Sequence, residues 1–380
     1  MNRTVLLVST ASVWLGTARM VRGLARAGFE VVLFAPEGSL ATHSRYVTRR
    51  HLLPRDASPG VFLLALSQVV AAHPPALAIP CDEMALRLLF TLVLSPPPSL
   101  PAATHFELDS LIRRSLGDPA HYLATVDKLL LPAAAAAAGI AMPPSAVVET
   151  TQDAQDFAAT QGYPIVLKRR YGFAGEGVRI VAAASELAEA FTRLSSPDQL
   201  DIGQPMGRQL LAQAFITGAY HSQALVAWQG ATLAAFGWER FVATQPIKGQ
   251  TAVIRLIDSP ATRAAAEEAG RAFGITGFFN VQFVLEAGGA PLMLEVNRRL
   301  VTHTHFGERA GVDLPAALYS QLTGAPAMLA STPRGPDTIA VFPREWLRDP
   351  QSAHLSHGPV DLPWDEPELI EALLALRRAS

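Results

Sequence analysis

The 380-residue chain has a single cysteine, Cys81, so no disulfide can form within it. Charged residues make up only 17% of the chain and the net charge is −2, which leaves no broad basic field to draw nucleic acid or an acidic membrane surface. The longest apolar run, VFLLALSQVVAA, is broken by Ser67 and Gln68 and is shorter than the roughly 20 residues of a membrane span. Met1 to Thr10 lacks the basic, apolar and small-residue layout of a secretory signal, so the expected location is cytoplasmic. The dinucleotide fingerprint G-x-G-x-x-G is missing as well. Gly16 stands alone between Leu15 and Thr17, and a bound NAD is not supported. No internal repeat is visible.

What is present is globular: 49% hydrophobic residues and a length suited to roughly two or three cores of about 150 residues. TVLLVS, VWLGTARMVRGLARAG closing on Gly28, and EVVLFAP read as strand, helix and strand, a βαβ unit. ALAIPCDEMALRLLF repeats the strand-to-helix step, with Asp82 and Glu83 in the first turn and Asp82 read as a cap. The adjacent prolines of SPPPSLP end any regular element, and an N-terminal α/β domain is expected over residues 1–120. LLLPAAAAAAGIAMPP is a helix with Pro132 in its first turn and Gly139 as its stop. YPIVLKRRYGFAGEGVRIV follows as strand, glycine-rich connection and strand, and LLAQAFITG is a further strand. Another strand comes after Gly249, then a helix around ATRAAAEEAGRAFGI and a final pair of strands. The tail from about residue 325 leads into a short amphipathic helix, and no chemistry is assigned to it.

The chemistry concentrates in the final pair. FFNVQFVLEAGGAPLMLEVN reads as a hairpin turning at Gly288-Gly289. That turn sets Leu285 opposite Leu292, Phe283 opposite Leu294 and Val281 opposite Val296 on an apolar face. On the other face Gln282 lies across from Glu295, with Asn297 two residues further along the strand. Taken alone, these three are the wet face of an antiparallel sheet. As a group of hard oxygen donors they also suit Mg²⁺ (or Mn²⁺) that keeps waters and takes further oxygens from nucleotide phosphates. Gly172, Gly175 and Gly177 form a loop whose backbone amides can approach phosphate, or an ordinary hairpin turn. Lys168 ends the strand before that loop, and Lys128 follows Asp127 upstream.

In order and spacing, Asp127-Lys128, PIVLKRRYGFAGEGV, LLAQAFITG and Glu295-x-Asn297-x-Arg299 resemble the ATP-grasp superfamily over residues 121 to 325. The resemblance implies an α/β (α+β) chain: a Rossmann-like pre-ATP-grasp domain, then an ATP-grasp domain whose subdomains span 121–210 and 211–325, then an extension over 326–380. It implies that Lys128 and Lys168 contact the phosphates of ATP, that the Gly172–Val178 loop covers them, and that Gln213, Phe215 and Ile216 line the adenine pocket. Gln282 stands where many members carry an acid, and NVQFVL looks like the carbamoyl phosphate synthetase branch, where glutamine occurs as a ligand. The hinge departs from QEYIxGxE: no acid stands at Tyr220 or His221 to receive the ribose hydroxyls, and Glu239 is the substitute considered. Arg299 and Lys168 are the catalytic candidates, Arg299 because a fixed planar cation beside transferring phosphate stabilises developing charge.

For the second substrate the resemblance points to His303, His305, Glu308 and Arg309, where a histidine can serve as a base or support the loop. Arg240, Lys248 and Arg255 are candidate clamps for a carboxylate, or solvated strand-edge charges. The implied activity is an ADP-forming carboxylate–amine ligase working through an acyl phosphate on small-molecule substrates, with a homodimer admitted. A nucleotide-binding scaffold and a kinase on the same fold are the alternatives.

Overall fold

A computed structural model of the chain describes residues 2–98, 100–172, 177–196, 208–245, 249–326 and 337–376. Thr4–Val8 (β1), Glu30–Pro36 (β2), Arg49–Leu53 (β3) and Leu77–Pro80 (β4) form a parallel sheet in the order β3-β2-β1-β4. Leu15–Ala27 (α1) covers one face and ends on Gly28 at φ 111°, a conformation that favours glycine. Pro59–Ala72 (α2), Glu83–Leu94 (α3) and Ala102–Leu116 (α4) cover the other. Burial on both faces is why these strands are apolar runs instead of alternating ones. The strand order reverses between β1 and β4, so the loops leaving their carboxyl ends open a crevice. Asp82 ties those loops together, accepting from Ser9 Oγ at 2.8 Å and Thr10 N at 2.7 Å while capping α3 through Ala85 N at 2.9 Å.

Tyr122–Val126 (α5) and Leu131–Ala137 (α6) lead into an antiparallel sheet of Ser145–Val148 (β5), Ile165–Arg169 (β6), Val178–Val181 (β7) and Leu210–Ala214 (β8), ordered β5-β8-β6-β7. Thr151–Gln161 (α7) and Ala184–Leu194 (α8) back it. A larger sheet holds Tyr220–Trp228 (β9), Ala231–Ala243 (β10), Thr251–Ile257 (β11), Gly277–Leu285 (β12), Pro291–Asn297 (β13) and Thr338–Ala340 (β14), ordered β13-β12-β9-β10-β11-β14. Pro260–Ala272 (α9) packs on one face. Leu314–Thr323 (α10) and α1 pack on the other, so this sheet shares a core with β1 and β2. Arg344–Arg348 (α11), Ala353–Ser356 (α12) and Pro367–Ala375 (α13) complete the chain, and Leu369 and Leu373 of α13 are fully buried in the shared core.

Two sequence expectations are corrected here. The long β9–β10 hairpin, turning at Gln229-Gly230 with both φ angles positive, is absent from the sequence reading, although Tyr220, Val226, Trp228, Phe236, Trp238 and Val242 favour strands. The β12–β13 register also differs at the turn. Residues 286–290 form a five-residue loop closed by Glu286 N to Ala290 O at 3.0 Å. Leu285 therefore faces Pro291 and Phe283 faces Met293, in place of Leu292 and Leu294. A bulge at Leu294 then restores the expected pairs Gln282–Glu295 and Val281–Val296.

Candidate active site

A cleft opens between the two antiparallel sheets, and the end of β13 supplies its polar floor. Gln282, Glu295 and Asn297 all line it, joined by Leu294, which the bulge moves off the apolar face. Asn297 Nδ2 donates to Glu295 Oε1 at 2.8 Å and its Oδ1 accepts from Arg299 Nη2 at 3.1 Å. Burial pushes the Glu295 carboxyl up, but Lys128, the Asn297 amide, Lys168 and Arg299 outweigh it and hold the group below its ordinary value. Lys168 lies deep in the same cleft, where burial lowers its ammonium to about 8 against the pull of Glu295.

Lys128 is braced from two sides. Its Nζ donates to the Gly172 carbonyl at 2.8 Å, and buried Asp127 pairs with Arg170 at 2.6 Å. Gly172, at φ 135°, and Gly177 stand at the two ends of the glycine-rich loop and both line the cleft, while Gly175 lies outside the described residues. Beyond the lysines the cleft becomes apolar, with Val166, Ile180, Phe215, Ile216, Val284 and Leu294 along its walls. Gln213, 1% exposed, is held there by Ser145 Oγ at 2.9 Å. Gly218 lets the strand connection pass close to β12: a Cβ there would sit 1.8 Å from the Leu285 carbonyl oxygen.

The opposite end is polar and assembled from distant segments. Arg299 is 6% exposed, pairs with Glu83 of α3 at 3.2 Å and lies over the Trp14 ring at 5.3 Å. Arg240, Thr251, Thr302, His303 and Arg344 complete this end. Arg344 donates to Thr302 Oγ1 at 2.9 Å, and among the described residues no carboxylate is within ion-pair distance of it. Burial lowers its guanidinium to about 10. His303 is buried and neutral, since burial and then Arg344 push its pKa well below the ordinary value, and its Nε2 has no hydrogen-bond partner among the described residues. The described lining thus sets Lys128, Lys168, Arg240, Arg299 and Arg344 against only Glu83 and Glu295. An apolar slot that ends in this cationic surplus suits a ligand with a flat apolar head and several negative charges.

The ATP-grasp domain family matches residues 125–303. The chain carries an ATP-grasp domain. Pyruvate carboxylase 1 of Caenorhabditis elegans is 29% identical over 202 residues, which are 50% of this chain and 17% of that protein. The chain thus spans about a sixth of the length of such a relative. Biotin carboxylase from Campylobacter jejuni, solved with β-γ-ATP, superposes with TM-score 0.66 at 15% identity, over 88% of this chain and 74% of that one. L-amino acid ligase from Bacillus licheniformis gives 0.60 at 17% identity, over 85% and 74%. At these identities the solved structures share the fold.

Within the ATP-grasp domain, Lys128, Lys168, Gly172, Gly177, Gln213, Phe215, Ile216, Arg240, Gln282, Glu295, Asn297, Arg299 and His303 meet in the one cleft. Arg255 and His305 do not line it. Arg255 faces Glu239, pairs with it at 3.4 Å and covers Phe241, because alternation along β10 and β11 puts these residues on the side away from Arg240. Glu239 does not line the cleft either, and Lys248 lies outside the described residues. The 3₁₀ turn Thr304–Glu308 swings His305 away from His303, and its Nε2 meets Asp361 at 2.9 Å in a second cavity that also takes Glu308 and Arg309. Sequence reasoning missed Trp14, Glu83 and Arg344 as cleft residues. Glu83 carried a weak signal, a carboxylate opening a helix at the end of a parallel strand, and Arg344 carried none.

The donor set fits Mg²⁺. Gln282, Glu295 and Asn297 offer one carboxylate and two amides, and among the described residues no three His, Cys, Asp or Glu side chains gather into a metal cluster. An ion held there would take its remaining oxygens from phosphate and water.

Proposed function

We propose that the protein is an ATP-dependent, ADP-forming ligase that joins a small-molecule carboxylate to an amine through an acyl phosphate. The observation that carries this reading is Arg344, a half-buried cation without a carboxylate partner among the described residues, placed in the same cleft as the Lys128–Lys168–Glu295 cluster. A cation drawn partly out of water favours an anion brought by the ligand, and one cleft then holds both a polyphosphate end and a carboxylate end.

In this reading Phe215, Ile216 and Gln213 seat the base, and Lys128 and Lys168 hold phosphate oxygens. Arg344 and Arg240 orient the carboxylate so that its oxygen faces the γ-phosphorus as the bond to ADP breaks. Arg299 stabilises charge developing on the transferred group. His303, neutral with a free Nε2, accepts the proton that the amine nitrogen loses as it attacks the acyl carbon and the C–O bond to phosphate breaks. Mg²⁺ held by Glu295, Asn297 and Gln282 supplies charge neutralisation at the phosphates.

The test is a panel of carboxylates with ATP, Mg²⁺ and hydroxylamine. Hydroxamate together with ADP is the expected product, and Glu295→Gln abolishes both. A stable phosphorylated hydroxyl compound would establish a kinase instead. Nucleotide binding without turnover across the panel would point to a binding scaffold.

A further inference from the structure

Arg298 and Arg299 leave the end of β13 toward different surroundings. Arg299 enters the cleft, whereas Arg298 turns into the N-terminal layer, where it is 1% exposed and is the largest fully buried side chain among the described residues. Its guanidinium lies 5.0 Å from the Tyr122 ring and 5.5 Å from Phe90, and those two rings stack at 4.0 Å. It donates to the Leu116 carbonyl and, at 3.5 Å, to Thr125 Oγ1. Among the described residues its Nε has no partner and no carboxylate is within ion-pair distance. Burial outweighs the pull of Tyr122 and of the more distant Asp118 carboxylate on this charge, and an apolar side chain of similar size would fill the space with less desolvation. Stability therefore does not account for an arginine here.

Position does. Tyr122 and Thr125 belong to α5, which is followed at once by Asp127 and Lys128, and α5 packs against β13. One side chain thus joins the element that delivers Lys128 to the strand end that delivers Arg299. We infer that Arg298 is a positioning residue that fixes Lys128 and Arg299 relative to each other through the Phe90–Tyr122 ring pair and Thr125. The inference rests on the ligase reading only for its turnover readout.

The experiment compares wild type, Arg298→Met and Arg298→Lys in three measurements: melting temperature without ligand, MgADP affinity by titration, and kcat and KM. Leu116 O keeps a bond from Thr276 N at 3.3 Å, and Thr125 Oγ1 still donates to the Tyr122 carbonyl at 3.0 Å, so Arg298→Met strands neither group. The expected result is a melting temperature no lower than wild type, weaker MgADP binding, and a kcat lower by about ten- to hundredfold, the scale of a 1 Å misplacement. Arg298→Lys, which can still reach a carbonyl, recovers part of the loss. Wild-type MgADP affinity and kcat in Arg298→Met would overturn the inference. So would a loss of folding that accounts for the lost activity. Thr125→Val, which removes one acceptor of the guanidinium, provides the second variant and is expected to weaken MgADP binding in the same direction. A wild-type protein that binds MgADP but turns nothing over would defeat the ligase reading while leaving the affinity comparison intact.

Discussion

Glu83 holds Arg299 at 3.2 Å, and the two side chains are only 11% and 6% exposed. The carboxylate opens α3 of the parallel sheet, and the guanidinium follows the last strand of the ATP-grasp hairpin. Nearby, Leu300 N donates to the carbonyl of Pro80 at the end of β4 at 3.1 Å. Gly16 lets α1 approach the same segment, since a Cβ there would meet the Val301 backbone at 3.0 Å. The N-terminal layer is therefore part of the cleft wall.

Glu83→Gln should lower kcat about tenfold, roughly 1.4 kcal/mol of transition-state stabilisation, with little change in KM for the nucleotide. Added to Arg299→Met it should cost little more, because it acts through Arg299. Steady-state kinetics on the double-mutant cycle checks this, and additive losses would show that the two act separately.

Nucleotide affinity should decline as pH rises through about 8, where free Lys168 loses its proton. Phosphate favours the charged form, so the decline approaches tenfold per pH unit, and Lys168→Met should flatten it. Stability of the free protein moves the other way. The unfolded chain keeps this proton up to the ordinary lysine value of 10.5, so between about 8 and 10.5 it binds more protons than the folded state and stability rises with pH. Titration calorimetry and thermal melts at stepped pH measure the two slopes.

Arg344→Met should raise KM for the carboxylate substrate about ten- to hundredfold and leave nucleotide affinity near wild type, the loss of one charge-assisted contact. The free protein should be no less stable, because the half-buried cation removed has no carboxylate partner among the described residues. An unchanged KM with a lower melting temperature would assign the residue to the core.

Gly218→Ala should destabilise the protein by about 2–4 kcal/mol and weaken nucleotide binding, since its Cβ overlaps the Leu285 carbonyl and displaces the connection that carries Phe215 and Ile216. Gly288→Ala serves as the control, because a Cβ there meets nothing within 4 Å. Thermal denaturation separates the two variants.

The sequence by itself determined the elements whose cause is local. Apolar runs followed by Gly28 specify the first βαβ unit, Asp82 caps α3, and alternation along the last strand puts Glu295 and Asn297 on one face. The family motifs are local in the same sense, each readable within a few residues. Tertiary structure decided the rest. The bulge that turns Leu294 toward the cleft compensates a loop length that no pattern in the strand reveals. β9 and β10 lie inside the larger sheet with strand neighbours on both sides, a placement that their local pattern does not give. Arg255 and His305 left the site through strand alternation and a 3₁₀ turn, while Glu83 and Arg344 entered it from segments far apart in the chain. Periodicity and capping depend on neighbours within a turn or two, whereas the meeting of side chains across a cleft depends on how whole sheets pack, and that information is spread along the entire chain.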